Sequence, residues 1–196
     1  MEFKFDAHQQ FQQDAIAAVV NLFEGQPADV SSLKTTFKVE LSDSGAQAAL
    51  DMINEVGAVG NNLVLDRESI LHNLQSVQDR NGLEVVEELA GDASDFDIEM
   101  ETGTGKTYVY LRTIFELAKR YNFTKFVILV PSVAIKEGVT SSIRDMTKHF
   151  QDLYATPFDS TVYSGSSAEE VQSFATSTIK PCWCARWPPS STRCSR

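Results

Sequence analysis

No cysteine occurs before residue 182, and no apolar run approaches the roughly 20 residues that a membrane span needs. The missing early cysteines exclude a disulfide framework, and the odd total of three (Cys182, Cys184, Cys194) supplies none at the end of the chain. Cys182 and Cys184 form a C-x-C pair with no second pair or histidine nearby, which is a poor zinc candidate. The N-terminus is polar and acidic rather than a signal peptide, so these absences together point to a cytoplasmic protein. Positive charge is also scarce: 17 Lys and Arg face 27 Asp and Glu, for a net charge of −10. That excludes broad, non-specific coating of nucleic acid and leaves only a local basic groove. At 42% hydrophobic and 22% charged residues, the 196-residue chain has the composition of an ordinary globular domain with a proper core.

What is present is a phosphate-cradling sequence, Met100-Glu101-Thr102-Gly103-Thr104-Gly105-Lys106-Thr107. The alternating run Phe96-Asp97-Ile98-Glu99-Met100 predicts a short strand leading in. Tyr108 to Lys119 predicts a helix leading out, with Val109, Leu111, Ile114, Phe115 and Ala118 on its buried side. Strand, glycine-rich turn, Lys-Thr and helix is the order that a P-loop requires. Glycines let backbone N–H groups turn toward a phosphate, and the helix start adds its positive dipole end. In that arrangement Lys106 reaches the terminal phosphates of ATP as a point charge, and the Thr107 hydroxyl sits on Mg²⁺.

Before the loop, residues 8 to 23 predict an amphipathic helix on Phe11, Ala15, Val19, Leu22 and Phe23, stopped by Gly25 and Pro27. A strand at 36–41 and a helix at 46–56 are expected next. Asp66 caps a further helix through Ile70, Leu71, Leu74 and Val77, which Asn81-Gly82 ends. The acidic stretch from Glu84 to Asp97 has the pattern of a solvated connector. After the loop, Lys125 to Val130 predicts a buried parallel strand closed by Pro131-Ser132. A helix from Val133 to Phe150, broken near Gly138, a strand at Asp159–Tyr163 and a helix at Ala168–Phe174 complete an α/β alternation with a parallel sheet. Beyond residue 179 the pattern fails: the tail has no acidic residue, holds three of the six prolines and both tryptophans, and shows no period of helix or strand. Its abrupt enrichment in Cys, Trp, Arg, Pro and Ser favours a shifted reading frame over a basic tail for nucleic acid or a partner. The resulting divisions are a helix at 1–25, a mixed insertion at 26–95, a partial P-loop domain at 96–178 and an aberrant tail at 179–196.

Two further motifs narrow the class. Phe11-Gln12-x-x-Ala15-Ile16 matches the aromatic-Gln-x-x-Ala-Ile arrangement of the adenine-reading Q motif of superfamily 2 motors. A glutamine amide has the donor and acceptor to pair with adenine N6 and N7. Val127-Ile128-Leu129-Val130-Pro131-Ser132 resembles motif Ia, whose loop contacts the nucleic-acid backbone. Superfamily 2 proteins also relax the first P-loop glycine, which is Met100 in this chain. The runs Glu99 to Leu117, Lys125 to Val139 and Phe5 to Glu24 together resemble the Res subunit of type III restriction enzymes.

That resemblance implies a P-loop NTPase fold, the first RecA-like motor domain, incomplete at its C-terminal side and preceded by a mainly helical region. It implies an ATP-dependent DNA translocase or helicase working on double-stranded DNA with a modification (methyltransferase) subunit, and an endonuclease domain near the far end of the full-length protein. Carried over residue by residue, Gln12 reads adenine, and Thr102, Gly103, Thr104, Gly105, Lys106 and Thr107 form the phosphate loop. Lys106 and Thr107 take the catalytic and Mg²⁺ roles, and Pro131 and Ser132 contact DNA. No Asp-Glu-x-x box follows the P-loop, so the chain as written lacks the carboxylates needed for turnover. The alternative reading is a stand-alone nucleotide- or DNA-binding module with a basic patch of Lys119, Arg120, Lys125, Lys136, Arg144 and Lys148. A small P-loop kinase would need a lid and acidic Mg²⁺ partners that the sequence does not offer.

Overall fold

Side-chain caps and buried stripes set the helices of this chain, whose computed structural model describes residues 8–28, 60–91, 95–156, 158–163, 168–176 and 181–186. The strand and helix expected within 36–56 lie outside the described residues. The chain divides into two compact units, residues 1–32 with 61–123, and residues 33–60 with 124–196.

The first unit contains α1 (Gln10–Asn21), α2 (Arg67–Arg80) and α3 (Lys106–Tyr121). Asp66 caps α2 as its sequence predicts, accepting from the Ser69 N–H at 2.8 Å, and Gly82 turns the chain at φ +66° beyond the helix end. Helix α1 packs against α3 and α2. Its buried residues are Gln12, Ile16 and Val20, so the stripe lies one position round from the expected Phe11, Ala15 and Val19, and Phe11 is 49% exposed. The i, i+4, i+8 spacing of Gln12, Ile16 and Val20 makes them one face, and Gln12 tolerates burial because its amide finds a partner. On α3 the buried set includes Val109, Leu111, Phe115 and Ala118, joined by Tyr108, Thr113 and Leu117. Phe23, Tyr121 and Phe123 close the end of this core, Phe23 meeting Phe123 edge-on at 5.4 Å while the Tyr121 hydroxyl donates to the Val20 carbonyl at 3.1 Å. Gln26 is buried and acts like a short strand, donating to the Asn62 carbonyl and accepting from the Val64 N–H.

The run Phe96–Met100 does not form the expected strand: residues 95–100 are irregular, and Ile98 is exposed. Alternation alone does not make a strand, because an extended segment needs a ladder partner for its backbone groups.

The second unit contains β1 (Phe126–Val130), α4 (Val133–Tyr154), β2 (Asp159–Tyr163), α5 (Ala168–Thr176) and β3 (Pro181–Arg186). The strand order is β1-β3-β2, and β3 pairs with both neighbours in the parallel sense, Phe126 opposite Cys182 and Asp159 opposite Pro181. The tail was expected to hold no strand, yet its first residues occupy the central place. Parallel pairing runs through backbone N–H and C=O groups, so it does not require a period in the side chains, and Pro181 is tolerated at the first position of a strand. Helix α4 is also unbroken. Gly138 costs about 1 kcal/mol in a helix interior, which the buried stripe of Val139, Ile143, Met146 and Phe150 outweighs. Ser132 caps α4 by accepting from the Ile135 N–H at 3.3 Å, and Ala155, at φ +49°, ends it. Among the described residues, no helix is long and apolar enough to cross a membrane.

Candidate nucleotide site

The segment from Glu101 to Thr107 is shaped by its own residue types. Gly103 and Gly105 both adopt left-handed backbone, at φ +84° and +83°, a conformation that costs an ordinary residue roughly 1–2 kcal/mol. Between them Thr104 folds back, its hydroxyl donating to the Glu101 carbonyl at 2.7 Å. Helix α3 begins at Lys106, and its first helical bond runs from the Val109 N–H to the Gly105 carbonyl at 3.1 Å.

Asp66 and Ser132 cap α2 and α4, whereas no side chain caps α1 or α3, and α3 differs from α1 in following two left-handed glycines. First-turn N–H groups have no acceptor within their own helix. An uncapped start behind two left-handed glycines is therefore suited to an anion that accepts from several amides at once. A Cβ added at Gly103 would meet nothing within 4 Å, so space lies open over the loop. Lys106 is exposed and Thr107 half-buried in that first turn, a donor set that fits phosphate and a hydroxyl that fits Mg²⁺.

Gln12 reaches this loop from α1, 92 residues earlier in the chain. Its side-chain amide donates to the Thr104 carbonyl at 2.9 Å. The approach is close enough that a Cβ at Gly105 would come within 2.7 Å of the Gln12 nitrogen. Gly105 thus has two reasons to be glycine, its dihedral and its neighbour. The sequence motif singled out Gln12 but carried no sign of its contact with the loop backbone. Pro131 and Ser132 belong to the second unit, with Pro131 exposed and the Ser132 hydroxyl engaged in capping α4.

Residues 71–180, more than half of the chain, match the family described as "Type III restriction enzyme, res subunit". The chain belongs to that family. The match encloses the phosphate loop and the Lys125–Val139 run on which the resemblance was drawn. The chain is 40% identical over 95 residues to the type III restriction-modification enzyme EcoPI Res subunit of Escherichia phage P1, covering 47% of this chain and 10% of the relative. It is 38% identical over 95 residues to the EcoP15I Res subunit of Escherichia coli, with the same coverage. With the StyLTI Res subunit of Salmonella typhimurium it shares 44% over 72 residues, 36% of this chain and 7% of that one. The aligned part of the chain thus spans a tenth or less of these relatives' length.

Proposed function

We propose that this chain is the N-terminal portion of an ATP-dependent DNA translocase or helicase subunit of a type III restriction endonuclease, binding ATP through residues 102–107. The observation that carries the reading is the Gln12 amide at 2.9 Å from the Thr104 carbonyl. One amide hydrogen bonded to the loop leaves the other hydrogen and the carbonyl oxygen of Gln12 for adenine N7 and N6. The base reader and the phosphate loop would then lie at the two ends of one nucleotide. Thr102, Gly103, Thr104 and Gly105 cradle the phosphates, Lys106 holds the terminal ones as a point charge, and Thr107 presents its hydroxyl to Mg²⁺. Bound Mg²⁺ neutralises the charge that develops on the phosphates during hydrolysis.

In the same reading the chain folds as the first RecA-like motor domain of a P-loop NTPase. Residues 1–25 carry the base-reading helix, 26–95 are an insertion, 96–178 the partial motor and 179–196 a shifted-frame tail. Pro131 and Ser132 contact the backbone of double-stranded DNA, and a modification subunit is the protein partner. Without an Asp-Glu-x-x box the chain binds ATP weakly and does not turn it over efficiently. The test is ATP hydrolysis by the full reading frame with and without double-stranded DNA. DNA stimulation that disappears in Lys106→Ala supports a translocase. Equal hydrolysis without DNA refutes it.

A further inference from the structure

The connector between α2 and the phosphate loop is held in an unusual way. Gln75 donates to the Val86 carbonyl at 2.9 Å, and Gln78 accepts from the Val86 N–H at 3.1 Å. Further along, the Arg67 guanidinium donates to the Leu89 carbonyl at 2.7 Å and to the Gly91 carbonyl. The partners step backward along α2, from 78 to 67, as the connector advances from 86 to 91. The connector therefore runs antiparallel to the helix as a strap fastened by four side chain–backbone bonds.

Fastening by polar helix side chains inverts the usual arrangement, in which a loop turns its apolar side chains onto the helix beneath it. Leu83, Val85 and Val86 are 60%, 43% and 36% exposed. Single exposed apolar residues are ordinary, but three within four positions, on a backbone fixed by directional bonds, form a presented patch. The charges among them have one sign, since Glu84, Glu87 and Glu88 are all exposed and no basic residue lies between Leu83 and Gly91. That charge repels phosphate, so it excludes nucleic acid and anionic lipid as the occupant. It complements a basic surface.

We infer that the strap from Leu83 to Glu88 is a protein-docking surface for an amphipathic basic segment, whose apolar residues cover Leu83, Val85 and Val86 while its Lys or Arg residues meet the three glutamates. Apolar contact supplies the affinity, and the charges set partner choice and association rate.

The test titrates the 196-residue chain with a helical peptide carrying one leucine and one lysine face, followed by fluorescence anisotropy of the labelled peptide. Two variants probe the strap, Glu84→Lys with Glu87→Lys and Glu88→Lys, and Val85→Ser with Val86→Ser. A third, Asp145→Lys with Asp152→Lys, reverses exposed charge on α4. All are surface changes, and amide exchange at the Arg67 end of α2 verifies that the strap stays fastened. The expected result is binding that each strap variant weakens on the order of tenfold or more and the α4 variant leaves within about twofold. Equal weakening by the α4 variant would reduce the interaction to bulk charge and overturn the proposal. So would an absence of binding, or Val85→Ser with Val86→Ser binding as tightly as the parent.

Discussion

Replacing Gly105 by alanine separates two effects that coincide at one residue. The left-handed backbone at φ +83° costs an alanine roughly 1–2 kcal/mol, and the same cost applies at Gly103 with φ +84°. At Gly103 nothing else happens, because an added Cβ meets no atom within 4 Å. At Gly105 the Cβ arrives 2.7 Å from the Gln12 side-chain nitrogen. That nitrogen is the far end of a flexible side chain, so it swings away rather than clashing, and the bond to the Thr104 carbonyl is lost. Gln12 is 8% exposed, so its amide is left without a partner in a buried place, at about 1–3 kcal/mol. Gly105→Ala is therefore expected to cost about 2–5 kcal/mol and Gly103→Ala about 1–2 kcal/mol. Urea unfolding of the two variants measures the difference, and repeating both in a Gln12→Ala background closes the cycle. In that background the two glycine substitutions should agree within about 0.5 kcal/mol. Equal costs in the parent chain, or a difference that survives Gln12→Ala, would refute the contact as the reason for the second glycine.

Three other outcomes follow from local geometry. Burial pulls Lys125 down to about 8 from 10.5, while the Phe174 carbonyl and the ring 5.0 Å away favour its cation. The unfolded chain holds that proton more tightly, so stability should rise as pH increases from about 8 toward 10, and Lys125→Met should flatten the slope in pH-dependent melts. Because Lys125 is half-buried and still reaches solvent, the rise is expected to be on the order of 1 kcal/mol or less. The Ser69 N–H holds the Asp66 carboxylate below its ordinary 3.8. Its stabilisation is thus complete above that value and lost as acid protonates it; Asp66→Asn, which keeps a cap without a titrating group, should remove that component from acid-unfolding curves. Ala155 ends α4 in left-handed backbone at φ +49°, so Ala155→Gly should stabilise the second unit by about 1 kcal/mol in urea unfolding.

Helix boundaries were legible wherever a cap wrote them. Asp66, Gly82 and Ser132 each stand where the chain turns, and a continuous apolar run marked β1, although Val127 and Leu129 are exposed rather than buried. Phe96–Met100 alternates as a half-buried strand does and is no strand, because strand formation depends on a partner that no local pattern encodes. β3 fails in the opposite direction, with a segment lacking strand character drawn into a central slot by its two neighbours. Helix α1 buries Gln12, Ile16 and Val20 rather than the adjacent row of Phe11, Ala15 and Val19, since two neighbouring rows both carry apolar residues and only tertiary contact selects between them. What buries Gln12 is a carbonyl 92 residues away. The site residues themselves were readable from glycine spacing and Lys-Thr, but the meeting of Gln12 with the loop is tertiary and left no local trace.

The most direct test of the nucleotide site is calorimetric titration of the 196-residue chain with ATP in the presence of Mg²⁺, alongside Lys106→Ala, Gln12→Ala and a GTP titration. The expected result is measurable ATP binding, loss of that binding in Lys106→Ala, and a preference for ATP over GTP that shrinks in Gln12→Ala. ATP binding by Lys106→Ala as tight as by the parent chain, with both remaining folded, would contradict it.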